Sequence, residues 1–176
     1  IPSVKYLRLE HDINAQASSV MRRNNLTGTS NCVFIHVGEG IGASIFNEKA
    51  YLGARGFAGE LGHIPFNGGS RMAQCSCGKI NCVETYLSVH GILSYINDHF
   101  HQHYASLSEV NQDILKNNAL LTHITEALVY IMVMMTNLLD PQILIIGGEA
   151  IEPFYNSIGH EVEQEVRKRS WLSGPP

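Results

Sequence analysis

Three of the four cysteines in this chain lie within eight positions, and a histidine lies twelve residues before the first of them. Cys75, Cys77 and Cys82 offer three thiolates, and His63 adds an imidazole nitrogen, which together make the ligand set of a closed tetrahedral zinc site. Cys75 and Cys77 are separated by Ser76 alone, a spacing at which the Cα separation and the S–S dihedral angle of a mutual disulfide are hard to satisfy together. A different disulfide pairing, or three ordinary reduced thiols, is the alternative.

The composition of the loop around the cysteines favours the zinc interpretation. Residues 67–70 and 77–79 are rich in glycine and polar residues and poor in apolar anchors, so the loop needs another means of stabilisation. A metal bound by four protein ligands would stabilise such a loop, and it would be structural because no position is left open for water. The sequence therefore predicts a zinc-stapled loop over residues 63–84.

The overall composition, 44% hydrophobic residues and a formal net charge of −4 over 176 residues, is typical of soluble globular proteins. Hydropathy suggests no membrane span, and residues 1–5 lack the pattern of a signal peptide, so we expect a cytoplasmic protein without a membrane partner. Metal-bound thiols and the lone Cys32 fit a reducing compartment. The acidic balance argues against DNA binding by this segment itself. Because the chain begins without methionine and ends in Gly-Pro-Pro, we expect it to be part of a longer polypeptide.

Strand-like and helix-like hydrophobic patterns succeed one another along the chain. Strands are predicted at residues 4–10, 32–37, 43–46 and 142–146, the last fully buried because residues 143–146 are continuously apolar. Helices are predicted at residues 13–21, 83–100 with interruptions, within 106–118, 119–139 and 152–169. The methionine cluster in the long helix predicts core packing or a subunit contact. The histidines at 99, 101 and 103 are interpreted as an exposed helix end rather than a metal site.

Carboxylates at element boundaries are the candidate functional groups. Asp12 lies between the first predicted strand and the first helix, where it could cap the helix. It could also act as a general base or accept a hydrogen bond from a ligand, since open α/β sheets bind ligands at the carboxyl ends of strands. Glu60 and Glu84 flank the predicted zinc loop, which would be a rigid mount for a binding site. Glu84 could equally be a first-turn acid favoured by the helix dipole.

A glycine-rich turn, Gly38-Glu39-Gly40-Ile41-Gly42, joins two of the predicted strands. Such turns expose backbone N–H groups that can bind phosphate, although most glycine hairpins have no such role. Glu39 argues against phosphate here, because its carboxylate would repel a bound anion.

Five motifs in chain order resemble the ROK family (repressors, open reading frames and kinases) of sugar kinases and sugar-responsive transcription factors. The match covers almost the whole chain, and the cysteine motif with its Gly-Glu-x-Gly-His lead is its specific part. The motifs are Glu10-His11-Asp12-Ile13-Asn14-Ala15, Gly38-x-Gly40-Ile41-Gly42, Gly59-Glu60-Leu61-Gly62-His63, Cys75-x-Cys77-Gly78-x-x-x-Cys82-x-Glu84 and Asp140-Pro141-x-Ile143-x-Ile145-x-Gly147-Gly148.

The resemblance implies an actin-like, ribonuclease-H-type α/β fold in two lobes, with this chain supplying the end of the first lobe and most of the second. It implies zinc ligation by His63, Cys75, Cys77 and Cys82. It also implies a sugar site in the cleft that uses His11, Asp12, Glu60, His63 and Glu84. In a kinase of this family Asp12 would be the catalytic base, and ATP would lie near Gly38, Gly40, Gly147 and Gly148.

Two departures from the kinase pattern favour the regulator branch of the family. His11 stands where the kinases usually carry asparagine and resembles the NagC/Mlc-like repressors. Glu39 stands where the kinases usually carry threonine, and an added carboxylate is costly beside a phosphoryl group. The resemblance therefore predicts the sugar- or sugar-phosphate-sensing domain of a homo-oligomeric transcriptional regulator, with an upstream helix-turn-helix segment that binds operator DNA. The alternatives are a hexose kinase that uses ATP and Mg²⁺, and a zinc-stapled interaction module.

Overall fold

The computed structural model describes residues 11–26, 31–47, 49–68 and 72–171, so the strand predicted at residues 4–10 lies outside it. The helices are α1 (Asp12–Arg23), α2 (Glu84–Leu87), α3 (Val89–Phe100), α4 (Gln112–Leu115), α5 (Asn118–Leu139) and α6 (Tyr155–Arg169). The strands are β1 (Asn31–Val37), β2 (Ile41–Asn47), β3 (Lys49–Ala50) and β4 (Ile143–Gly147). Short 3₁₀ turns lie at Leu61–His63, Leu107–Glu109 and Glu152–Phe154.

A mixed four-stranded sheet in the order β3-β2-β1-β4 organises the fold. β1 and β2 form the predicted antiparallel hairpin, in which Val37 lies opposite Ile41. β4 pairs parallel to β1 on the other side, with His36 opposite Gly147. Parallel neighbours need a long crossover connection, and here it contains α2 to α5. The carboxyl ends of β1 and β4 therefore meet at one edge of the sheet.

β1 is buried on both faces, which requires helices on both sides of the sheet. On one face Val33, Ile35 and Val37 are at most 1% exposed and join a core to which α2, α3 and α5 contribute. Ser44 of β2 points to the opposite face, where its buried hydroxyl donates to Asn14 Oδ1 of α1. This contact fixes α1 on the sheet and so places the start of that helix.

β4 shows that the prediction of a fully buried strand is wrong, because all five of its residues are half-buried. Among the described residues β4 pairs on one side only, with β1. Leu144 and Ile146 line an apolar cavity of about 670 Å³ beside α5 and α6. Continuous apolar sequence predicts a strand suited to the interior, but it does not reveal whether neighbouring elements cover both sides of that strand.

The helix predicted over residues 83–100 is interrupted, as expected, and the structure places the break at Ser88. Ser88 has an extended backbone between α2 and α3, and its hydroxyl accepts a hydrogen bond from the N–H of Gly91, which makes it the N-cap of α3. At the other end of α3, His99, His101 and His103 are exposed, which confirms their interpretation as a helix end.

α5 is the one helix among the described residues that is long and apolar enough to cross a membrane, contrary to the expectation from hydropathy. Half of its most apolar 18-residue window is buried inside the protein, as in a core helix. Met135 lies in the core and Met132 and Met134 pack against it, which confirms the core placement of the methionine cluster. The helix ends where Asp140 adopts a left-handed conformation before Pro141.

Candidate functional site

The predicted metal ligands meet in space. His63, Cys75, Cys77 and Cys82 each bring one ligand atom into a cluster whose atoms lie within 4.8 Å of one another. The Cys75 Sγ and His63 Nδ1 atoms are 3.6 Å apart, as are the Sγ atoms of Cys77 and Cys82. Zinc with Zn–S bonds of about 2.3 Å holds its tetrahedral sulfur ligands about 3.8 Å apart, so the cluster fits that ion.

Backbone pairing brings these ligands together. A small hairpin pairs Gln74 with Ile80, and inside it the N–H of Cys75 donates to the carbonyl of Lys79. A second bridge, between Pro65 and Cys82, ties the hairpin to the segment that follows His63. The cluster therefore joins the segment that begins at His63 to the hairpin that carries the cysteines, and both segments are also anchored in the core, through Phe66 and Val83.

The thiols of the cluster differ in their affinity for protons. Burial raises the pKa of Cys82 to about 12, and hydrogen bonds to Cys77 and Cys75 act in the same direction. A backbone hydrogen bond at Lys79 lowers the pKa of Cys77, which is exposed. A bound metal would have to displace the proton of Cys82, so metal affinity should increase with pH. The remaining thiol, Cys32, is buried in β1, and burial raises its pKa.

Beside the four candidate metal ligands, here called the metal cluster, a cavity of about 400 Å³ opens. It lies between the start of α1, the β1–β2 turn and the segment before residues 63–84, here called the metal loop. Of the predicted site residues, it is lined by His11, Asp12, Gly40, Glu60 and Glu84. His63 belongs to the metal cluster instead, and Gly38, Gly147 and Gly148 are not among the lining residues. We name this cavity the acidic cleft.

The acidic cleft takes its name from five carboxylates in its wall. Only histidines provide side chains that can become positively charged; among the described residues no lysine or arginine lines the cleft. Carboxylate oxygens are strong hydrogen-bond acceptors, so the cleft suits a ligand with many donors, such as a polyol. The acids are Asp12, Glu39, Glu60, Glu84 and Glu149, and the histidines are His11 and His36.

The start of α1 presents Asp12 to solvent. The N-cap position is occupied by His11, so Asp12 is the first helical residue rather than the N-cap, although its carboxylate does accept from an amide of the first turn, as the capping hypothesis expected. Asp12 Oδ1 accepts a hydrogen bond from the N–H of Ile13 at 2.8 Å and lies 3.1 Å from His11 Nδ1. Its side chain is 82% exposed, which leaves the carboxylate accessible to a ligand.

Glu84, the first residue of α2, connects the cleft to the metal cluster. Its Oε1 accepts from the Ser76 hydroxyl at 3.3 Å and lies 3.7 Å from Cys75 Sγ. Its Oε2 lies so close to Gly62 that a Cβ there would be 3.1 Å away, which is tighter than most real contacts. The carboxylate is therefore held between the metal loop and the cleft.

Two cleft residues, His36 and Glu149, were not identified from the sequence. Glu149 Oε1 accepts from the N–H of Glu39 at 3.1 Å, and Glu149 Oε2 lies 3.6 Å from His36 Nε2. The signal that could have found them is the parallel pairing of β1 and β4, which brings the carboxyl ends of both strands, His36 in β1 and Glu149 just after β4, to one sheet edge.

Comparison with known proteins identifies the family. The sequence profile of the ROK family matches residues 5–173. A xylose repressor from Bacillus spizizenii is 32% identical over 171 residues, covering 90% of this chain and 42% of the repressor. A glucokinase from Halalkalibacterium halodurans is 29% identical over 162 residues, covering 80% of this chain and 48% of the glucokinase. The chain thus spans about half the length of the curated relatives it matches.

Solved structures agree on the fold. A ROK hexokinase from Thermus thermophilus has a TM-score of 0.74 at 19% identity, covering 92% of this chain and 55% of the hexokinase. A ROK family transcriptional regulator, a homolog of the E. coli MLC protein, has a TM-score of 0.69 at 23% identity, covering 90% of this chain and 43% of the regulator. The fold is therefore the actin-like α/β fold of ROK sugar kinases and regulators, and the chain belongs to the ROK family.

Proposed function

We propose that this chain is the effector-binding part of a ROK-type transcriptional regulator and that the acidic cleft binds a sugar. The observation that carries the proposal is the convergence of Asp12, Glu60 and Glu84 from three separate elements on one cleft. Hydrogen bonds from hydroxyl groups to ionised carboxylates are about twice as strong as those between neutral groups. A sugar offers such hydroxyls on several sides, which three carboxylates around a cleft can accept.

The metal loop supports this role because it restricts the movement of the Glu84 carboxylate. Zinc bound by His63, Cys75, Cys77 and Cys82 would fix the loop, and Glu84 lies directly against it. A carboxylate held by such a neighbour loses little rotational freedom when a ligand binds, so binding is stronger. The zinc is structural in this proposal, because four protein ligands leave no open position for chemistry.

The alternative function is an ATP-dependent hexose kinase in which Asp12 removes the proton of the attacking hydroxyl and Mg²⁺ accompanies ATP. The glucokinase and hexokinase relatives favour it, as does the exposure of Asp12 in the cleft. Glu39 at the tip of the glycine turn argues against it, because phosphoryl transfer depends on neutralising negative charge. The xylose repressor among the relatives favours the regulator.

In the regulator, this chain supplies the end of the first lobe and most of the second, and a helix-turn-helix segment upstream binds operator DNA. Such a protein acts in the cytoplasm as a homo-oligomer. Sugar binding changes operator affinity only if the sugar binds one arrangement of lobes or subunits more tightly than the other.

The test uses the natural full-length protein and a panel of pentoses and hexoses, with thermal unfolding as the readout. A ligand at 100 times its Kd adds about 2.7 kcal/mol to the free energy of unfolding. Glu60→Gln should abolish this stabilisation, whereas Glu161→Gln, a matched change at an exposed position of α6, should leave it intact.

Two further measurements separate regulator from kinase. The stabilising sugar should change the affinity of the protein for its operator DNA in a mobility-shift assay. ATP turnover with the same sugar should be absent. Efficient turnover by the wild type would overturn the regulator and establish the kinase, and an unchanged sugar response in Glu60→Gln would remove Glu60 from the site.

A further inference from the structure

The loops that follow β1 and β4 lie directly against each other. The N–H of Ala150 donates to the carbonyl of Val37 at 3.1 Å, which joins the two loops through their backbones. Gly148 has a φ of 127°, and a side chain there would collide with the backbone of Val37. Glycine at position 148 therefore allows the backbone after β4 to approach Val37 closely. This approach places the next residue, Glu149, beside the glycine turn.

The glycine turn and the end of β1 together hold the Glu149 carboxylate. The backbone N–H of Glu39 donates to Glu149 Oε1 at 3.1 Å, and His36 Nε2 lies 3.6 Å from Glu149 Oε2. Gly38 makes room for the group, because a Cβ there would collide with Glu149 Oε1 and lie 2.6 Å from His36 Nε2. The backbone N–H of Glu39 and the imidazole of His36, with the space left free at Gly38, therefore form a site for an anionic oxygen, here called the anion cradle.

We propose that Glu149 is an intramolecular ligand of this anion cradle and keeps phosphate-bearing molecules out of this end of the acidic cleft. Glycine turns with exposed amides bind phosphate in many proteins, and here the chain's own carboxylate takes that position. An incoming phosphate would have to displace Glu149 and would then lie beside a second carboxylate, Glu39. The cleft therefore admits uncharged ligands and rejects nucleotides. This inference goes beyond the proposed function and does not require that a sugar be bound.

The test is an isothermal titration calorimetry experiment in which inorganic pyrophosphate is added to the natural full-length protein. Glu149→Ala vacates the cradle and should bind pyrophosphate roughly tenfold to 100-fold more tightly than the wild type, as expected for a newly available charge-assisted hydrogen bond. Glu149→Gln removes the charge but keeps an oxygen acceptor, so its gain should be smaller. Glu152→Ala changes an exposed acid three residues further on, at the start of the next 3₁₀ turn; it is the matched control and should behave as the wild type.

A double variant locates the binding. His36→Ala combined with Glu149→Ala should lose most of the gain, because the imidazole is part of the cradle. If the wild type binds pyrophosphate as tightly as Glu149→Ala, or if neither Glu149 variant gains affinity, the proposal is wrong. A gain that His36→Ala leaves unchanged would also overturn it, since the anion would then be bound elsewhere.

The sugar site and the anion cradle can be rejected independently of each other. A wild type that no sugar stabilises, together with a Glu149→Ala variant that gains pyrophosphate, would reject the sugar site and keep the cradle. A sugar-stabilised wild type whose Glu149 variants gain nothing would do the reverse. Thermal melting of each variant shows that it is folded, and Glu149→Gln carries the test if Glu149→Ala does not fold.

Discussion

Cys77→Ser tests the metal centre with little disturbance of packing, because Cys77 is the one exposed thiol of the cluster. The change replaces a soft thiolate by a hydroxyl that zinc binds poorly. Since the side chain is exposed, a loss of stability cannot come from a cavity in the core. It must come from the metal and from the segments that the metal joins.

The expected magnitude follows from the length of chain that the cluster closes. His63 and Cys82 bound a segment of about 20 residues, and cross-linking such a loop is worth about 3 kcal/mol in the chain-entropy description. For a domain of this size 1 kcal/mol shifts the melting temperature by about 2–4 °C, so the loss corresponds to roughly 6–12 °C.

The assay combines metal analysis by mass spectrometry with differential scanning calorimetry. Wild type should contain one zinc per chain and Cys77→Ser much less, and a strong chelator should lower the wild-type melting temperature to that of the variant without lowering the variant further. Lys79→Ala changes an exposed side chain in the same loop and should keep both metal and stability. A Cys77→Ser protein with normal metal content and normal melting would refute the zinc-stapled loop.

Three other perturbations test separate parts of the fold. Gly148→Ala should cost about 1–3 kcal/mol of unfolding free energy in a denaturant titration, because it places a side chain in a left-handed backbone against Val37; an unchanged midpoint would contradict the close packing of the two loops. Ser44→Ala should cost about 1–3 kcal/mol by leaving the buried Asn14 Oδ1 without its donor, and a neutral result would show that α1 does not depend on this contact. Burial raises the pKa of Cys32 above the 9.0 of an unperturbed thiol, so the unfolded chain loses this proton first and the free energy of unfolding should fall as the pH rises above 9. Cys32→Val should reduce this fall, measured by urea titration at several pH values. An identical fall in both proteins would assign it to other groups.

The sequence predicted the elements whose signals are local. The cysteine spacing and the histidine before it identified four candidate ligands whose ligand atoms lie within 4.8 Å of one another, and the apolar segments on either side of the glycine turn identified the β1–β2 hairpin. Both depend on residues that are near one another in the chain. The break at Ser88 was predictable in the same way, because a serine that accepts from an N–H three residues later is a local capping interaction.

What the sequence did not reveal depends on long-range register. Glu149 reaches the glycine turn only because β4 pairs with β1, and more than a hundred residues separate the two strands. No periodicity encodes which strand will be the neighbour. The half-burial of β4 was missed for the same reason, since the covering of a strand depends on elements distant in the chain.

If a sugar contacts Glu84, the position of this residue couples sugar binding in the cleft to zinc binding in the metal loop. A coupling free energy is reciprocal, so whatever zinc contributes to sugar affinity, sugar contributes equally to zinc retention. The sugar-bound protein should then bind zinc with a higher affinity than the free protein does. In a zinc-starved cell the dose–response curve for the sugar would shift to higher sugar concentrations. The response of the protein would then depend on both sugar and zinc, through the carboxylate of Glu84.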